Sequence, residues 1–81
     1  MILINLDTLE TSNKLVKVCD KYSKHMDIDV LYDRYILNGT SILAVTSLLG
    51  NTVEIKPVTN DDLLLTYFTR DIQEINAWIE D

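Results

Sequence analysis

The stretch that most constrains this chain runs Tyr35-Ile36-Leu37-Asn38-Gly39-Thr40-Ser41-Ile42-Leu43-Ala44-Val45-Thr46-Ser47-Leu48-Leu49-Gly50. It reads as a short apolar strand, a tight turn at Asn38-Gly39, a hydroxyl residue opening a compact helix, and a glycine closing it. Gly39 permits the positive φ of a tight turn. Ser41 suits the N-cap, because its hydroxyl accepts a hydrogen bond from a free N–H of the first turn. Ile42, Val45 and Leu49 fall at i, i+3 and i+7 and give one apolar stripe, with Leu43 and Leu48 widening it or lying outside it. Gly50 is placed as the left-handed residue that ends a helix. The rival reading makes Asn38-Gly39 a hairpin turn and Ile42 to Leu49 a second strand. The adjacent apolar pairs Ile42-Leu43 and Leu48-Leu49 break strict alternation, so the helix is preferred.

The rest of the chain supplies elements of the same kind. Met1 to Leu6 reads as a strand with Ile2, Ile4 and Leu6 on one face. Thr11 or Ser12 caps a helix reaching about His25, with Leu15, Val16, Cys19, Tyr22 and Met26 inside and Lys14, Lys17, Lys21 and Lys24 in water. Ile28, Val30 and Tyr32 alternate with Asp27, Asp29 and Asp33, and Asp33-Arg34 turns the chain into the strand Tyr35 to Asn38. Val53 and Ile55 mark a further one-sided strand, ended by Pro57. Thr59 or Asn60 caps a last helix with Asp61 and Asp62 in its first turn. Leu64 or Leu65, Phe68, Ile72, Ile75 and Ile79 form its buried stripe, with Tyr67 and Trp78 at the margins. The order βαββαβα predicts an α+β two-layer sandwich, a four-stranded antiparallel sheet with three helices on one face.

Composition bounds the function. Residues 1–81 leave room for one domain, with 47% hydrophobic residues to form its core. Thirteen acids against seven bases give a net charge of −6, which argues against nucleic acid and against an anionic membrane surface. No apolar run has membrane-spanning length, and the N-terminus lacks signal-peptide character. With one cysteine, Cys19, an internal disulfide is excluded, so a cytoplasmic protein is expected.

The run Thr40-Ser41-Ile42-Leu43-Ala44-Val45-Thr46-Ser47-Leu48, following a strand and a turn, resembles the centre of HPr, the phosphocarrier family of the bacterial sugar phosphotransferase system. The resemblance extends over roughly Asp29 to Ile55 and implies the HPr-like open-faced sandwich. It also implies that Ser41 matches the family's regulatory serine, phosphorylated by a dedicated kinase. Ile42, Leu43 and Leu48 match positions of an exposed apolar docking patch. From the residues alone, these three suit a core equally well, and Ser41 is equally a plain N-cap.

The family's phosphoacceptor histidine falls near Thr8 and its phosphate-binding arginine near Glu10. Threonine cannot carry a phosphohistidine, and Glu10 repels phosphate. His25, the only histidine, sits at the far end of the first helix as an ordinary C-terminal residue. Cys19 reads as a small buried hydrophobe. Asp27, Asp29 and Asp33 read as a solvated face, since a calcium loop would also need its central glycine and terminal glutamate. No cofactor or metal motif is present, and the resemblance points away from an enzyme.

Three functions follow. The first is an HPr-like regulatory or interaction protein that has lost histidine phosphotransfer, as the catabolite-repression HPr-like proteins have. Its implied partners are HPr kinase, phosphotransferase-system components or transcriptional regulators, and it would be a monomer or weak dimer. The second is a divergent phosphocarrier in sugar transport. The third is a scaffold keeping only the fold.

Overall fold

Alternating burial fixes which side of each strand meets the helices. The computed structural model describes residues 2–75 and the backbone of Trp78–Ile79. Its elements are β1 (Ile2–Asn5), α1 (Leu9–Tyr22), β2 (Asp27–Tyr32), β3 (Tyr35–Asn38), α2 (Ile42–Thr46), β4 (Thr52–Val58), α3 (Asp62–Gln73) and β5 (Trp78–Ile79). Four of the strands form an antiparallel sheet in the order β3-β2-β4-β1, and β5 adds two residues beside β1. Ile4 lies opposite Val53, and Val30 lies between Ile55 and Leu37, so one face is apolar throughout. Leu15, Cys19 and Tyr22 of α1, Val45 of α2, and Phe68 and Ile72 of α3 join that face in one core. The other face is open. This is the βαββαβα sandwich that the sequence predicts, with β5 added at the β1 edge.

Several boundaries differ from the sequence reading. The first helix starts at Thr8, whose Oγ1 accepts from Thr11 N–H at 3.2 Å, rather than at Thr11 or Ser12. Thr11 instead donates to Asp7 Oδ1, and Ser12 is buried one turn inside, its hydroxyl without a partner among the described residues. The helix also stops at Tyr22, and residues 23–25 form a turn in which His25 N–H reaches Tyr22 O. In α3 the cap is Asp61, not Thr59 or Asn60: its carboxylate accepts from Leu63 and Leu64 N–H, both at 3.1 Å. A charged acceptor at that position also gains from the helix dipole.

The last helix is shorter than its apolar period. It ends at Gln73, and Ile75 N–H closes a tighter turn on Ile72 O. Ile75 is buried, yet Trp78 and Ile79 continue in β5 rather than on the helix, paired with Ile4 and Leu3. An aromatic and a β-branched residue suit that strand.

Pro57 does not end β4, which runs on to Val58. Gly39 N–H donates to Ile28 O, so the polar groups of Ile28 point to β3, and its pairing with Pro57 across β2 and β4 needs no hydrogen bond. The missing N–H of Pro57 faces the other side, where the pairing of β1 has already stopped at Ile55. Gly39 itself has no positive φ; among the described residues the left-handed ones are Gly50 at +88° and Asp33 at +54°. Asp33 occupies the first position of the two-residue turn between β2 and β3, where aspartate is among the few side chains tolerated.

Gly39 is needed for space. A Cβ there would lie 2.8 Å from Cys19 Sγ and 3.2 Å from Ile28 O. Burial pushes the Cys19 thiol up to about 12, so it stays neutral and acts as packing. At the end of α1, the Tyr22 ring packs edge-on to Phe68 at 5.4 Å, and its hydroxyl donates to Asp71 Oδ2 at 2.6 Å. Lys21 Nζ donates to the same oxygen at 3.0 Å. The Tyr22 bond, assisted by Lys21, outweighs burial and holds the Asp71 carboxyl below its usual range. Burial first, and then Asp71, pushes the Tyr22 phenol up to about 12.

Gly39→Ala should cost about 1–3 kcal/mol, with part of the loss recovered in the Cys19→Ala background, as urea titration of the double-mutant cycle will show. Additive losses would mean that the two residues do not share the space. For Asp71, the depressed pKa means that its contribution is present above 3.8 and is lost as pH falls through the lower folded value. The stability gap between wild type and Asp71→Asn should therefore be largest near neutral pH and shrink in acid. Tyr22 works in the opposite window: its contribution is complete below 10.0 and lost as pH rises through about 12. A gap between wild type and Asp71→Asn of equal size at pH 7 and about pH 2 would refute the ionic bond.

Candidate functional site

The turn ahead of Ser41 is held by its own side chains. Asn38 Oδ1 accepts from Thr40 N–H at 2.9 Å and from Thr40 Oγ1 at 2.8 Å, and Ser41 N–H reaches Asn38 O at 3.1 Å. Thr40 is thereby occupied, which leaves Ser41 to cap α2. Its Oγ accepts from Ala44 N–H at 3.3 Å, with backbone angles in the extended region. Ser41 is half-buried, and so is the hydrogen bond that its hydroxyl accepts.

Beyond Thr46 the chain winds more tightly: Leu48 N–H bonds Val45 O and Leu49 N–H bonds Thr46 O. A three-residue turn brings i and i+3 onto one side. Val45 and Leu48 therefore enter the core together, and the expected stripe through Ile42, Val45 and Leu49 is not formed. Leu48, matched to the docking patch by resemblance, is only 7% exposed and cannot be part of an open surface. Leu43 is 82% exposed and Ile42 40%, so the apolar side chains that directly follow Ser41 are open, and Leu49, past the other end of α2, is exposed too. The Thr46 hydroxyl folds back onto Ile42 O at 2.7 Å. Leu49 was legible only as core, since straight helical periodicity carries no sign of the tighter winding.

The start of α1 is a different surface. Thr8 serves as a cap, and Asp7 and Glu10 place two carboxylates in the same turn, Glu10 lying 3.6 Å from Lys14. A phosphate there would meet like charge. His25 is exposed in the turn after α1. Asp27 is exposed and Asp29 half-buried, and with Asn38 and Thr40 they line a cleft of about 480 Å³ beside the Ser41 turn. Among the described residues no group of three or more His, Cys, Asp or Glu could hold a metal ion, and no helix is long and apolar enough to cross a membrane.

Comparison with known proteins finds no matching family model and no curated protein with a significant match.

Ser41→Ala should lower stability by about 1 kcal/mol through loss of the cap, and Ser41→Asp should restore most of it, both read from the denaturant midpoint. An unchanged midpoint in Ser41→Ala would show that the Ser41–Ala44 bond carries no weight in solution.

Proposed function

We propose that the chain is an HPr-like regulatory or interaction protein of the phosphoenolpyruvate-dependent sugar phosphotransferase system, working in the cytoplasm by protein binding and without histidine phosphotransfer. Phosphorylation of Ser41 is its switch. The observation that carries this reading is the placement of Ser41, a half-buried residue that directly precedes exposed Ile42 and Leu43. A partner covering those side chains approaches the Ser41 oxygen as well. A phosphate there adds a charge of about −1.5 to −2 at the border of an apolar contact, enough to favour a partner with arginines and to repel one without.

The surface at Thr8 supports the loss of phosphotransfer. The hydroxyl that stands at the family's histidine position is spent on capping, and the neighbouring charges of Asp7 and Glu10 are negative. The partners are HPr kinase, phosphotransferase components or a transcriptional regulator.

The test uses the purified chain with HPr kinase and ATP, and separately with the upstream phosphotransferase and phosphoenolpyruvate. Acid-stable phosphate should map to Ser41 and vanish in Ser41→Ala, while no acid-labile phosphate should form. Leu43→Ala should weaken capture of the regulator more than it changes stability. Acid-labile phosphate on His25 would restore the phosphocarrier reading. No phosphate on Ser41, together with undiminished partner capture in Leu43→Ala, would reduce the domain to a scaffold.

A further inference from the structure

The outer edge of β3 offers main-chain groups and apolar side chains together. β3 ends the sheet, and Tyr35 and Ile36 on it are 62% and 68% exposed. The bond from Gly39 N–H to Ile28 O sets the parity of the β2–β3 ladder. Leu37 and Tyr35 direct their polar groups to β2, whereas Ile36 and Asn38 direct theirs outward. Asn38 O already receives Ser41 N–H, and β2 leaves Ile36 N–H and C=O unused. Exposed edges are ordinarily guarded by lysine, proline or a bulge. The segment Tyr35-Ile36-Leu37-Asn38 has neither lysine nor proline, and it carries no charge.

We propose that this edge is a self-association surface, on which a second copy of the chain pairs antiparallel about a two-fold axis at Ile36. Ile36 then exchanges both hydrogen bonds with Ile36 of the other copy, so the outward pair is self-complementary. Tyr35 falls opposite Leu37 of the other copy on the helix side, and the two Ile36 side chains meet on the open side. Each exposed apolar side chain on the edge gains an apolar neighbour.

Charge selects the same register. Continuing the ladder places Arg34 opposite Asn38 of the other copy, and Asn38 is itself paired with Asp29. Two strand spacings, about 10 Å, then separate the Arg34 and Asp29 backbones, a gap that the two side chains bridge. Neither Arg34 nor Asp29 has an ion-pair partner among the described residues. The two-fold axis makes this contact twice, which offsets part of the repulsion between two chains of net charge −6. With four residues in each edge strand, the contact is small and its dimer weak.

Sedimentation equilibrium from about 10 μM to about 1 mM should show a reversible monomer–dimer equilibrium. Exchange of the Ile36 amide should slow as the concentration rises. Ile36→Lys should weaken the dimer Kd by about tenfold or more with an unchanged melting temperature, because the side chain is exposed. Leu43→Lys, on the surface beside Ser41, should leave the Kd unaltered. Arg34→Asp should weaken association, and the swap Arg34→Asp with Asp29→Arg should restore it. A monomer throughout, association that survives Ile36→Lys, or association lost in Leu43→Lys overturns the proposal. Failure of the charge swap to restore the Kd overturns the register through Ile36.

Discussion

Much of this structure depends on how closely α1 approaches the turn between β3 and α2. Cys19 and Gly39 meet there with room for no further carbon. The contact seats the last turn of α1 against the sheet and also fixes where the chain leaves β3. That exit determines where Asn38 can hold Thr40, and therefore which hydroxyl is free to cap α2. The position of Ser41 is thus set by a van der Waals limit two residues earlier. Less than one turn further along α1 a second tie, from Tyr22 and Lys21 to Asp71, holds α3 against the same helix. The two ties differ in kind, since the first is steric and insensitive to pH and the second relies on an ionised carboxylate.

The two-layer fold was legible because burial alternates along β1, β2 and β4 and no competing pattern fits. Helix ends were less legible. Asp7, Thr8, Thr11 and Ser12 can all cap, as can Thr59, Asn60 and Asp61, and the sequence does not say which of them tertiary packing leaves at the boundary. At α3 the 3.6-residue period persists through Ile75 and Ile79, although the helix stops at Gln73. Periodicity records burial, and Ile75 is still buried after the hydrogen bonding has changed. Pro57 was misleading for the converse reason: its lack of a donor matters only on the side of β4 where a partner waits.

The candidate site was legible in part. Ser41 as a cap follows from residue type and position, but the choice between Leu48 and Leu49 for the core does not. That choice depends on the tighter winding after Thr46, where two hydroxyls, those of Thr46 and Ser47, bond back to the helix carbonyls. Both hydroxyls are thereby tied to the local backbone. The exposed chemistry is consequently simpler than the composition indicates, with three aliphatic side chains and one serine oxygen set in an acidic molecule.

The strand order has a bearing on how the chain is made. β1 is synthesised first, yet it pairs with β4, Ile2 meeting Ile55, and with β5 on its other side. β2 and β3 need only their two-residue turn to form a hairpin, whereas β1 must wait until β4 has left the ribosome. During that interval Ile2, Ile4 and Leu6 have no sheet to join. The nascent chain therefore carries these apolar side chains unprotected for longest, and α1, which can form locally behind them, is the first element available to cover them.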